Sequence, residues 1–105
     1  MDSDRAGQKS AGSVRYRVVF RPAALRDLAD LPREVERRIV AALDALANDP
    51  RPLGTEPLTG DLKGLRKLRL GTYRAAYEID DAAQCVRVWG LGHRRGFYDR
   101  IRRRV

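Results

Sequence analysis

The chain has 105 residues and a formal net charge of +8. That length supports one small domain with its own core and excludes a multidomain enzyme. One cysteine, Cys85, excludes an internal disulfide and a thiolate zinc site, and with no signal peptide and no apolar run near the roughly 18 residues of a membrane span, a cytoplasmic protein is expected.

Residues 1–13 ("MDSDRAGQKSAGS") lack apolar periodicity and read as a disordered leader, or in part an expression remnant. The domain then covers residues 14–105. "VRYRVVF" (14–20) alternates, with Val14, Tyr16, Val18 and Phe20 on one face and Arg15 and Arg17 on the other. That pattern predicts a half-buried strand. Pro22 suits a first helical turn, and Leu25, Leu28 and Leu31 follow at helical spacing. Pro32 ends this helix and starts the next. There Val35, Ile39, Leu43 and Leu46 make one apolar stripe, predicting an amphipathic helix of about four turns. The two helices form a helical hairpin.

"DPRPLGTEPLTGD" (49–61) carries three prolines and two glycines and reads as a loop. Three strands are expected after it: Leu65–Leu70, Tyr73–Asp80 and residues 84–92. Gly71-Thr72 has glycine first, as a two-residue type II′ hairpin turn requires. Asp81-Ala82-Ala83 makes the next turn. "RRGFYDRIRRRV" closes the chain as a short arginine-rich helical tail. The expected fold is a small single α+β domain of order β-α-α-β-β-β, with the helical hairpin packed on an antiparallel sheet that includes the first strand.

The charge is concentrated. Residues 62–74 hold Lys63, Arg66, Lys67, Arg69 and Arg74 and no acid, and residues 92–105 hold six arginines against Asp99. Such clustering marks a polyanionic partner, either nucleic acid or an acidic protein, where interspersed charge would mark only solubility. The two-residue turn pairs Leu70 with Tyr73 and sets Arg69 opposite Arg74, with Lys67 on the same face. Like charges directly opposed on a sheet destabilise it by about 0.2–1 kcal/mol per pair. Either the side chains splay into solvent, or they form a preorganised site for phosphate oxygens. The last strand delivers "GHRRGFY" beside this hairpin. Tyr98 there either packs on the sheet or stacks on a base. His93 is either a surface hydrogen-bonding residue or an acid–base group. Cys85 and Trp89 read as packing residues.

From about Val14 to Arg100, the strand, the proline-bounded helical hairpin, "LKGLRKLRLGTYRAAYEID" and "VWGLGHRRGFYDR" together resemble the RelE/ParE toxin superfamily. The resemblance implies a RelE-like toxin of a type II toxin–antitoxin pair. Such toxins enter the 70S ribosome and cut mRNA without a metal or cofactor, by attack of a 2′-hydroxyl on the adjacent phosphate. Carried over by position, Lys67 and Arg69 match the paired basic residues, Arg74 the arginine after the turn, Arg94 that of the final motif, and Tyr98 its aromatic. Lys67 is then the candidate base, since arginine does not deprotonate in proteins. Arg69 and Arg74 hold the phosphate, Arg94 or His93 supplies the proton or stabilises charge, and Tyr98 orients a base. Lys63, Arg66 and Arg95 would contact RNA or ribosome more generally. Arg69 departs from the best-known RelE pattern, which has a second lysine there. The expected partners are an acidic, partly disordered cognate antitoxin, the ribosome and mRNA, with no membrane. The alternatives are a ParE-like gyrase inhibitor, which shares the fold without this RNA-cutting site, and a non-catalytic nucleic-acid- or protein-binding module.

Overall fold

The computed structural model describes residues 15–105; the leader and Val14 lie outside the described residues. The elements run β1 (Arg17–Phe20), α1 (Pro22–Ala29), α2 (Arg33–Asp44), β2 (Thr55–Pro57), β3 (Arg66–Leu70), β4 (Tyr73–Asp80), β5 (Cys85–His93) and α3 (Phe97–Arg102). Short 3₁₀ turns follow α2 at Ala45–Ala47 and precede β3 at Gly60–Leu62. No helix among the described residues is long and apolar enough to cross a membrane.

The strands form one sheet in the order β1-β5-β4-β3-β2. Two features differ from the expectation. First, the sheet is mixed: β1 pairs with β5 in parallel, Arg17 opposite Cys85 through Phe20 opposite Val88. The three antiparallel reversals from β2 to β5 leave β5 pointing along β1, and the intervening chain supplies the long connection a parallel pair needs. Second, the proline-rich 49–61 segment contains a strand. β2 is three residues long and lies at the sheet edge, where Pro57 needs no ladder partner on its outer side.

The β3–β4 hairpin has the register its turn implies, with Leu70 opposite Tyr73 and Arg69 opposite Arg74. Gly71 has φ of 61°, the left-handed value that glycine adopts without steric cost. β4 and β5 carry a bulge: Ala76 pairs with Gly90 but Tyr77 with Val88, so Trp89 is the extra residue. The bulge shifts the phase of β5, and Val86, Val88 and Leu91 all join the core under α1 and α2.

That main core packs Ala24, Leu28, Ile39, Leu43 and Leu46 against Leu68, Ala75, Tyr77, Val86, Val88 and Leu91. The α2 stripe points inward as expected. α1 does not present the face its leucines suggested: Leu25 is 53% exposed, while Ala24, Asp27 and Leu28 are buried. Small Ala24 lets the helix approach the sheet, and Asp27 is drawn inward by partners on β5 and the C-terminal tail. A second, smaller cluster of Leu62, Leu65, Ala76, Phe97 and Ile101 lies on the opposite sheet face beneath α3. Covered from both sides, Ala75, Ala76 and Tyr77 are all buried in succession.

Candidate active site

Alternation along β3 divides its residues between the two faces. Leu68 and Leu70 face the helical hairpin, so Lys67 and Arg69 face the α3 side. Arg74, opposite Arg69, shares that face. The like-charged pair is thus built into the ladder. The Arg74 Nη1 donates to the carbonyl oxygens of Gly71 and Tyr73, each at 2.8 Å. Both bonds use one nitrogen, so Nε and Nη2 of the five-donor fork remain for an anion.

Lys67 is well enclosed, its side chain 15% exposed, whereas Arg69 is exposed. Its Nζ lies 5.7 Å from the centroid of the Tyr98 ring, within the range of cation–π attraction. Tyr98 in turn stands edge-on to buried Phe97, with ring centroids 5.3 Å apart. It is half-buried, neither fully packed nor splayed into solvent. Glu56 on β2 is the register partner of Lys67, and its Oε2 lies 3.6 Å from Nζ. Glu56, Pro57, Leu58, Leu62, Lys67 and Tyr98 line an open groove of about 390 Å³.

The final motif reaches this corner through its backbone. The Arg94 N–H donates to the Thr72 carbonyl at 2.7 Å, tying the end of β5 to the hairpin turn, and the Arg94 side chain is exposed. His93 is placed differently. It pairs with Tyr73 and stands edge-on to that ring at 5.8 Å, and Tyr73 packs against the core under α1 and α2. The His93 Nδ1 accepts the Arg95 N–H at 3.2 Å. Arg66 also turns to the helical-hairpin side, where its Nη2 donates to Thr55 Oγ1. Glu78, which could have neutralised the hairpin, instead accepts the Trp89 indole N–H at 2.9 Å and lies 3.8 Å from Arg87. Lys63 and Arg95 are exposed.

A family model described as "ParE toxin of type II toxin-antitoxin system, parDE" matches residues 18–98. Toxin RelG of Mycobacterium tuberculosis is 37% identical over 86 residues, which cover 81% of this chain and 98% of the relative. The chain belongs to the RelE/ParE toxin superfamily. Solved relatives of this RelE/ParE toxin include the toxin–antitoxin complex RelBE2 of M. tuberculosis, with TM-score 0.70 and 36% identity over 76% of this chain and 92% of that one. The archaeal RelE–RelB complex from Pyrococcus horikoshii matches with TM-score 0.64 and 29% identity, over 77% and 97%.

The toxin's corner contains two residues that periodicity did not reveal. Glu56 was hidden because its strand is short and sits among prolines. Arg100 lies across Gly92, the partner of Arg74, where a Cβ would collide with the guanidinium. The surviving signal for Arg100 was Gly92 itself, a glycine inside a strand, which marks a close approach. Together the toxin's site offers fixed guanidinium donors, a lysine, a carboxylate and an aromatic face beside an open groove.

Proposed function

We propose that this toxin is a ribosome-dependent mRNA endoribonuclease held in check by a cognate antitoxin. The observation that carries this reading is the register-locked cluster of Arg69, Arg74 and Lys67, with Tyr98 set against the lysine. Cutting RNA by its own 2′-hydroxyl needs three things: removal of the hydroxyl proton, stabilisation of charge on the phosphorane, and protonation of the leaving 5′-oxygen. The 2′-oxygen forms its bond to phosphorus as the bond to the 5′-oxygen breaks. A cyclic phosphate and a 5′-hydroxyl result, and no metal is required. Arg69 and Arg74 hold the equatorial oxygens, and Tyr98 stacks on and orients a base. Lys67 or its neighbour Glu56 takes the 2′ proton; the arginines cannot. Arg94, at the hairpin turn, supports the leaving oxygen. His93 is the weaker proton donor, because its ring lies against Tyr73 rather than on the Arg74 face. Lys63 and Arg95 make outer contacts with RNA or ribosome.

The antitoxin is an acidic, partly disordered chain that folds as it masks the basic face. Toxin–antitoxin complexes among the solved relatives support such a partner. A groove of about 320 Å³ between α2 and the hairpin, where Val35, Ile39, Leu70 and Tyr73 are flanked by Arg38 and Arg69, suits an amphipathic acidic helix. The setting for this pair is the cytoplasm.

The ParE family match supports a second reading, inhibition of DNA gyrase. Induced expression followed by mapping of mRNA ends separates the two. New ends within translated codons are the expected result. Intact mRNA with gyrase-dependent DNA breaks would establish the second reading instead.

A further inference from the structure

Asp27 is the one buried charged side chain among the described residues, and it takes no part in the proposed reaction. It lies on α1, 77 residues before Arg104 in sequence. Its Oδ2 accepts the Leu91 N–H at 3.0 Å and Arg104 Nη1 at 2.7 Å, and its Oδ1 accepts Arg104 Nη2 at 3.0 Å. Arg104 Nη1 also reaches the Trp89 carbonyl at 3.2 Å. Arg100 Nη1 donates to the Leu91 carbonyl at 3.0 Å and stands 3.7 Å from Asp27. A buried carboxylate is costly unless it is paired and hydrogen-bonded. Here both charge partners come from the C-terminal tail.

Two glycines admit those partners. A Cβ at Gly90 would collide with the Arg104 guanidinium and sit 2.7 Å from Ile101 Cδ1, and one at Gly92 would collide with Arg100. Gly90 and Gly92 pair with Ala76 and Arg74, so the two arginines cross β5 at the edge of the candidate site. Between the Arg94–Thr72 bond and the Arg104 anchor lies α3, only six residues long, with Arg100 in its last turn. So short a helix is not stable alone; it takes its position from the burial of Phe97 and Ile101 and from what holds its ends.

We infer that Asp27 is a positioning residue for the site. Its bidentate pair with Arg104 latches the C-terminal segment to the sheet, which fixes Tyr98 against Lys67. The effect on rate rests on mRNA cleavage at this site; the latch does not.

Asp27→Asn keeps an oxygen for the Leu91 N–H and removes the charge that Arg104 grips. Amide exchange within α3 should accelerate by about tenfold or more, with α2 and β4 unchanged. Cleavage of mRNA on programmed ribosomes should slow roughly a hundredfold, the scale of a small misplacement. Because Asp27 acts through Tyr98, combining Asp27→Asn with Tyr98→Ala should lose little beyond Tyr98→Ala alone. Losses that multiply would show that Asp27 only supports the fold, and unaltered α3 exchange would overturn the latch outright. Should the wild-type toxin not cut mRNA, cleavage is disproved and α3 exchange alone decides the latch. If Asp27→Asn does not fold, Arg104→Gln breaks the same pair from its more exposed side and is measured identically. Arg104→Lys, which restores the charge, should recover part of the α3 protection.

Discussion

Arg69 and Arg74 face each other across two hydrogen-bonded strands, an arrangement folding alone does not favour. Replacing Arg69 with alanine removes the repulsion, so thermal melting should stay unchanged or rise slightly, by the 0.2–1 kcal/mol typical of about one like-charged pair. Cleavage should fall by roughly 10²–10³, the loss seen when one charge-stabilising donor is removed. A Tm lowered by several degrees would show instead that Arg69 is structural. Tyr77 makes the contrasting case. Its ring is fully buried, and its hydroxyl donates to the Pro50 carbonyl at 2.7 Å, pinning the loop after α2 to the core. Tyr77→Phe should cost about 1 kcal/mol, a shift of about 4–8 °C in melting for a domain this size, with cleavage untouched.

At the scale of elements, one polar network ties the chain's first strand to the rest. The Tyr16 hydroxyl donates to Asp81 Oδ1 at 2.6 Å, and Arg51 Nη2 donates to Asp81 Oδ2 at 2.9 Å. Hydrogen bonds from Arg51 and then Tyr16 hold the Asp81 carboxyl below its ordinary value. A carboxyl so shifted binds its proton less readily in the folded than in the unfolded chain. Its stabilising contribution is complete above the unfolded value and fades as pH falls through the folded one. Asp81→Asn should therefore melt below wild type at pH 7, with the gap closing as acid protonates the folded carboxyl. A gap that persists in acid would assign the effect to packing. The elements themselves were legible in unequal measure. A two-residue loop with glycine first fixes register by geometry alone, so the β3–β4 hairpin could be placed residue by residue. β2 could not: three residues between prolines carry no period, and only pairing with β3 makes them a strand. Glu56 stayed hidden with it. Asp27 was invisible for a different reason, since its partners are remote in sequence and a carboxylate on α1 looks like any solvated one.

The whole molecule has two unlike sheet faces, one under the helical hairpin and one carrying Lys67, Arg69 and Arg74 beside α3. The net charge of +8 therefore understates the field at one corner. Binding of a 2′-O-methyl RNA, which cannot be cut, should weaken linearly in log–log plots against salt. Arg74→Ala should flatten that slope by about 0.7, the value for one phosphate contact on a single strand. An unchanged slope would place Arg74 outside the phosphate track. The clustering of cations was readable from composition, because charge runs survive in sequence order. The side of the sheet that each cation occupies was readable only where register was: alternation with Lys67 puts Arg66 on the far side, whereas His93 lies past the bulge at Trp89 and fell there unforeseen. The mixed sheet also leaves an overhang. β1 has four residues and β5 nine, so β5 continues past its parallel neighbour from Trp89 onward. Along that overhang, Asp27 takes the Leu91 N–H, Arg100 the Leu91 carbonyl and Arg104 the Trp89 carbonyl. Side chains thus occupy main-chain positions that another molecule's strand would otherwise seek. Shortening the tail to end at Asp99 would remove both arginines and free the Leu91 and Trp89 carbonyls, and such a chain should self-associate through strand pairing, seen as a larger species by size-exclusion chromatography, where the unshortened toxin stays dispersed.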